Sequence, residues 1–214
     1  MKSVFIRRIC PVFLAIVLFC SCAVCHADSD STTLTLDDKL SAMLPALDSV
    51  ARALGVDGEV GYAPRDPQFF WTVIYLMGEN WGYLDTLCKT IEQDGTTLIS
   101  IPSQTICDMA YAAFFDFDTL PELIDSSVIQ YDAQSVCYLL SHSDVNVAYT
   151  DIESYYEQEN GNVSLVLGMY SATAERIGGF EFTLVPVKDS DQSTTSQYCY
   201  RIMSACVQSD EIAA

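Results

Sequence analysis

The spacing of apolar residues along most of this 214-residue chain changes near Ser127, and this change limits the fold more than any other feature. Before it, apolar residues recur every three or four positions, which is the period of a helix with one buried face. After it, they alternate with polar residues, as in half-buried strands. The sequence therefore predicts an α+β fold, with N-terminal helices packed against a C-terminal antiparallel β-meander of about five strands.

The first helical segment is predicted between about Leu36 and Leu54. Thr35 and Asp38 have the spacing of a capping box, and Gly55 follows the last apolar position, where it would end the helix. Pro45 lies inside the segment and removes a backbone hydrogen bond, so we expect a kink or a division there.

A second helix is predicted to begin at Asp66-Pro67, an N-cap followed by proline at the first helical position. The stretch FFWTVIYLM that follows is apolar around its whole circumference, as in a buried helix.

The segment TTLISIPS alternates like a short strand, and Ser103 is placed to cap another helix. Four apolar residues before Gly95 have helical spacing and predict a short helix: Leu84, Leu87, Cys88 and Ile91.

Strands are predicted from Ser127 onward by alternation and by turn residues. Asn160-Gly161 is typical of a type I′ turn and predicts an antiparallel hairpin. The predicted strand segments are residues 128–131, 136–140, 152–158, 163–170, 179–187 and 198–207.

The N-terminus has the three-part layout of a secretory signal peptide, with Arg7 and Arg8 before an apolar run and small residues after it. The run from Ile9 to Phe19 would span about 16 Å as a helix, against roughly 30 Å of membrane hydrocarbon. We therefore expect export to a secreted or periplasmic location, with retention as an uncleaved anchor as the alternative.

Three cleavage sites fit the residues that follow. Ordinary signal peptidase could cut after Ala23 or Ala27, whereas cleavage before Cys22 would make that cysteine a lipid-bearing terminus, although Phe19 stands where a bacterial lipobox has leucine. The predicted organisation is a signal peptide over residues 1–27, a disordered leader over 28–34, a single domain over 35–207 and a disordered tail over 208–214.

Charge limits the partners. Loss of residues 1–27 removes three basic residues and no acidic one, so the net charge falls from −19 to −22. Such a field repels phosphate groups, so we expect no nucleic-acid partner and no membrane contact except through an N-terminal lipid.

Cysteine number leaves the disulfides open. Cleavage after Ala27 leaves an odd number of cysteines, whereas cleavage before Cys22 would also retain Cys25 and permit full pairing. The cysteines of the predicted domain, with no pairing assigned, are Cys88, Cys107, Cys137, Cys199 and Cys206.

Catalytic residue types are few. His142 is the only histidine after residue 27, which excludes a metal site built on two or three histidines of one chain. Cys137 and His142 could meet across a bend as a thiolate and its base, with His142 as a solvated loop residue as the alternative. No cofactor-binding motif and no motif that defines a family is present.

Acidic pairs are the other candidates for chemistry. Asp116 and Asp118 would share a face if their segment is extended, whereas Glu153 and Glu157 would be neighbours only in a helix. With 29 acidic residues, such pairs also arise by chance on a solvated face. The acids that begin at Asp189 lack the glycine and glutamate of a calcium-binding loop, so no metal site is assigned.

The residues favour an exported binding protein without a catalytic site, which holds a protein or small ligand on its sheet face or in a cleft between helix and sheet. Trp71, Tyr75 and Trp81 could line such a cleft, although their spacing also fits core packing. Two alternatives stay open. One is a secreted hydrolase that uses an acidic pair or Cys137 with His142, and the other is an accessory subunit of an envelope complex with an exposed apolar patch.

Overall fold

A computed structural model describes residues 34–55, 60–82, 86–93, 95–124, 127–142, 148–188 and 198–208. These residues form an α+β fold, as predicted. The helices are α1 (Leu36–Ala42), α2 (Leu44–Leu54), α3 (Pro67–Trp81) and α4 (Ser103–Ala113). The strands are β1 (Lys89–Gln93), β2 (Thr96–Pro102), β3 (Ile129–Asp132), β4 (Cys137–Ser141), β5 (Tyr149–Glu157), β6 (Val163–Tyr170), β7 (Arg176–Pro186) and β8 (Tyr200–Val207).

Local chemistry sets the helix ends as predicted. Thr35 and Asp38 form the capping box of α1, and Gly55 ends α2 with a positive φ of 72°. Pro45 lies in the first turn of α2 and separates it from α1. The Asp66 carboxylate accepts hydrogen bonds from the first backbone N–H groups of α3, which helical geometry would leave without partners.

Three local predictions are wrong. Lys89–Gln93 is strand β1 and not the end of a helix, because it pairs with β2 across the turn at Gly95. Ser103 is the first residue of α4 and not its cap, and its hydroxyl donates to the carbonyl oxygen of Val136. The turn before β6 is not type I′, because among its residues only Gly161 has a positive φ.

The strands form two antiparallel sheets rather than one. The first sheet has the order β1-β2-β4-β3, and the second is a meander with the order β5-β6-β7-β8. The C-terminal meander has four strands, against the expected number of about five, and the short strands β1 to β4 form a sheet of their own. The C-terminal meander itself is confirmed.

The helices bury one face of each sheet. Helices α2 and α3 pack against each other, while α2 contacts β5 and β8 and α3 contacts β2 and β4. Apolar side chains of β6 and β7 face inward at every second position, and Leu167, Phe180 and Leu184 are fully buried. Burial at roughly 25 cal/mol per Å² of apolar surface makes this core the main source of stability.

A polar cluster is built into that core. The Asp48 carboxylate of α2 is almost fully buried and accepts hydrogen bonds from Arg52, from the Trp81 indole of α3 and from the Thr150 hydroxyl of β5. Arg52 also donates to the carbonyl oxygen of Ala148. Since a buried carboxylate needs such partners, Asp48 fixes α2 against α3 and the second sheet.

The predicted signal peptide with Cys22, the leader except Leu34, the Asp189 loop and most of the C-terminal tail lie outside the described residues. None of the described helices is both long and apolar enough to cross a membrane.

Candidate functional site

The structure separates Cys137 from His142. Cys137 begins β4 and His142 follows its last residue, so about 16 Å of strand lies between them. The Cys137 thiol donates to the carbonyl oxygen of Ser135, and the backbone N–H of His142 donates to that of Thr97 in β2. The two residues therefore cannot act as a nucleophile and its base.

His142 has a different partner. Its Nδ1 lies 2.8 Å from Oε1 of Glu79, whose side chain is fully buried in α3, while the imidazole is half exposed. Both side chains line a cavity of about 200 Å³ together with Cys88 and Lys89. A carboxylate thus orients an accessible imidazole in a cavity that also contains a thiol.

The structure brings one of the two acidic pairs into a common groove and separates the other. Asp116 and Asp118 line one groove of about 250 Å³, where Asp116 lies 3.6 Å from the exposed guanidinium of Arg65. Glu153 and Glu157 are both on strand β5, so they lie about 13 Å apart and are not neighbours.

The aromatic residues of α3 have mainly structural contacts. The Trp71 indole is buried and donates to the carbonyl oxygen of Glu122, and the Tyr75 hydroxyl donates to that of Ser141. Trp81 binds the buried Asp48. Trp71 and Tyr75 also form one wall of a groove of about 340 Å³, closed on the other side by Leu123, Ile124 and Val128.

The thiols of Cys107, Cys137, Cys199 and Cys206 are free, and no disulfide bond joins two of the described cysteines. Burial raises the pKa of the Cys107 thiol, and the neighbouring Asp108 carboxylate raises it further. Cys206 is exposed on β8.

The solvent-facing side of the second sheet carries two rows of side chains that cross all four strands. Residues directly opposite each other in an antiparallel pair point to the same face, and their Cβ atoms lie about 5 Å apart. The strand registers place in the first row Tyr156, Ser164, Thr183 and Ser204. They place in the second row Ser154, Val166, Glu181 and Cys206.

These eight residues, which we call the sheet-face rows, line an open hollow of about 330 Å³. Tyr156 is 67% exposed, and within the described residues its hydroxyl makes no hydrogen bond. The hydroxyls of Ser154, Thr183 and Ser204 likewise make no hydrogen bond within the described residues. The Ser164 hydroxyl accepts a hydrogen bond from the side-chain amide of Gln158. The hollow therefore presents hydrogen-bonding groups that the described fold does not use.

An ion pair borders the sheet-face rows. Arg176 donates to both carboxylate oxygens of Glu153, at 2.6 and 3.1 Å, and the Tyr170 hydroxyl donates to one of them. These side chains lie over the facing glycines Gly168 and Gly179, where any Cβ would collide with them. The hydrogen bonds from Arg176 hold the pKa of Glu153 below its ordinary value.

Sequence reasoning missed two features of these sites. Glu79 stands inside an otherwise apolar helix, and that isolated charge was a signal for a buried polar contact. The sheet-face rows had no comparable signal, because serine and threonine alternate with apolar residues in many ordinary strands.

The described residues include no group of three or more histidine, cysteine, aspartate or glutamate side chains placed to hold a metal ion. A comparison of the chain with protein-family models, with curated proteins and with solved structures finds no match.

Proposed function

We propose that this protein is an exported binding domain that holds its ligand on the solvent-facing side of the second sheet, in the hollow lined by the sheet-face rows. The observation that carries the proposal is the pair of cross-strand rows, in which an exposed tyrosine and several hydroxyls converge on a volume of about 330 Å³. Binding sites are concave and place a few polar groups where they can orient a ligand.

Composition supports this assignment. The chain has 29 acidic residues, and a face that served only solubility would carry charge at its outward positions. The outward positions of the central strands from Ser164 to Gly168 and from Gly179 to Val185 instead carry glycine, serine, threonine and valine, with Glu181 as the one acid. Tyrosine and serine are the residue types that binding surfaces use for adaptable contacts.

A fragment screen tests the proposal. We expect small molecules from a mixed neutral, cationic and anionic library to shift the backbone amide signals of Ser164, Thr183 and Ser204 in two-dimensional NMR. Thr183→Trp fills the hollow and should abolish these shifts, whereas Gln130→Trp, at an exposed position of the first sheet, should leave them unchanged. Binding confined to the groove beside Trp71 and Tyr75 would contradict the proposal.

Export is the second part of the proposal, and it rests on the N-terminal sequence. Mass spectrometry of the mature protein should find a terminus at Val24 or Asp28, or an acylated Cys22. An intact product that begins with Met1 in the cytosol would overturn it.

A hydrolase is the second candidate, and the contact between Glu79 and His142 favours it. In this reaction the Cys88 thiol would give its proton to His142 and attack an ester carbonyl, the alcohol would leave with that proton, and water would then release the acid. Hydrolysis of p-nitrophenyl acetate should then be lost in both Cys88→Ala and His142→Ala and retained in Cys137→Ala. Equal rates in all three variants would exclude this candidate.

A further inference from the structure

We infer that the hollow lined by the sheet-face rows takes a neutral oligosaccharide. This inference rests on the proposed function, since it names the ligand class of the same site. It follows from the spacing of the hydroxyls, the exposed tyrosine ring, and the absence of an available cation in the described strands of the second sheet.

The hydrogen-bonding groups of the hollow match those of a sugar. The hydroxyls of Ser164, Thr183 and Ser204 follow one another across three strands at the spacing of a sheet, about 4.8 Å. Each hydroxyl both donates and accepts, and so does each hydroxyl of a sugar. The Glu181 carboxylate in the second row adds an acceptor, and no described residue forms an ion pair with it.

An exposed tyrosine ring at one end of the hollow gives a surface for stacking. Tyr156 is at the end of the first row, in register with Ser164, and two thirds of this residue is exposed. A sugar ring has an apolar C–H face between its hydroxyls, and an exposed phenol ring offers a flat apolar surface with a polar edge for that face. One end of the hollow can therefore stack on a sugar while the rest binds its hydroxyls.

The charged residues of the second sheet do not favour a charged ligand. Strands β5 to β8 contain two basic residues. Arg176 binds Glu153, and Arg201 donates to backbone carbonyl oxygens at the end of α4 and stacks on Tyr111. Because neither arginine of these described strands is available and the chain has a net charge of −19, an anionic ligand is repelled. A polycation would need more acceptors than Glu181 alone.

A peptide that joins the sheet as an added strand would not occupy the hollow. Peptides that join a sheet bind the backbone groups of an edge strand. The sheet-face rows lie on the face, where the backbone groups of the central strands are already paired within the sheet. The face therefore recognises its ligand through side chains.

The test uses titration of the mature protein with cellotetraose, maltotetraose and the tetramer of N-acetylglucosamine, followed by NMR. We expect at least one of them to shift the amide signals of Ser164, Thr183 and Ser204. Tyr156→Ala and Thr183→Val should each weaken binding about tenfold, which corresponds to about 1.4 kcal/mol. Tyr131→Ala removes an exposed tyrosine from the first sheet and should leave the affinity unchanged.

The outcomes separate the inference from the proposed function. If library fragments bind the hollow but no neutral oligosaccharide does, the ligand class is wrong and the binding site stands. If a basic peptide binds the hollow and no neutral oligosaccharide does, the ligand class is again wrong and the binding site stands. If neither fragments nor sugars shift these amides, or if sedimentation shows that a second copy covers this face, both are overturned. Circular dichroism of each variant checks that it is folded.

Discussion

Asp48 and Arg52 lie one turn apart on α2, and Nε of Arg52 is 2.9 Å from both oxygens of the Asp48 carboxylate. The pair is part of the core and not of the surface, because the Asp48 side chain is 2% exposed and that of Arg52 13%. Trp81 and Thr150 add hydrogen bonds to the same carboxylate from two other elements. One acid therefore holds two helices and a strand together.

Substitution of this acid should strongly destabilise the folded protein. Asp48→Ala leaves the guanidinium, the indole and the hydroxyl without their acceptor, and we expect a loss of about 3–5 kcal/mol in the free energy of unfolding. Urea denaturation followed by Trp fluorescence measures it. Asp118→Ala, an exposed acid of the loop after α4, should change stability by less than about 0.5 kcal/mol. Equal effects of the two substitutions would contradict the structural role of Asp48.

The close approach of α3 to the first sheet depends on Gly78. A Cβ at this position would lie 2.5 Å from Cδ2 of Leu140 and 2.6 Å from Cδ1 of Ile101. We therefore expect Gly78→Ala to destabilise the protein by about 1–3 kcal/mol through overpacking, although alanine favours helices. Gly61→Ala is the matched control, since a Cβ there meets no atom within 4 Å. A stabilised Gly78→Ala variant would show that the helix and the sheet are farther apart.

Features decided by neighbouring residues could be predicted from the sequence. The capping box at Thr35, the N-cap at Asp66 and the division at Pro45 each depend on side-chain chemistry within one helical turn. Lys89–Gln93 shows where this reasoning fails. The spacing of Ile91 from Leu87 and Cys88 fits a helix, but pairing of this segment with β2 decides its conformation, and that pairing depends on residues outside the predicted helix.

The sheet-face rows could not be predicted for a related reason. They exist because three strand pairs have particular registers, with irregularities after Ile152 in β5 and between Thr183 and Leu184 in β7. A shift of one residue moves every side chain of a strand to the opposite face. The sequence shows the alternation but not the register, so it identifies strands that can carry a binding face and not the residues that meet there.

The ion pair of Arg176 with Glu153 predicts a pH dependence. The hydrogen bonds from Arg176 lower the pKa of Glu153 in the folded protein. The resulting stability is complete above the ordinary pKa of about 4.3 and is lost as the pH falls through the lower folded value. The difference in unfolding free energy between the wild type and Arg176→Met should therefore shrink as the pH is lowered from about 6 to about 3.

Carbon-13 NMR of the side-chain carboxyl groups gives a direct check. The pKa of Glu153 should rise toward its ordinary value in Arg176→Met and rise less in Tyr170→Phe, because the arginine is the larger cause of the shift. A pKa that is the same in both variants and in the wild type would mean that the ion pair does not persist in solution.

Thiol reactivity tests the placement of β8 and α4 in one experiment. Cys206 is exposed in the second of the sheet-face rows, whereas Cys107 is half-buried in α4, where burial raises its pKa. The thiolate is the reactive form, so iodoacetamide at neutral pH should modify Cys206 first and Cys107 much more slowly. Peptide mass spectrometry at several times measures both rates in the same sample. In urea the two rates should become similar, and a Cys107 that reacts as fast as Cys206 in the folded protein would contradict the described packing of α4.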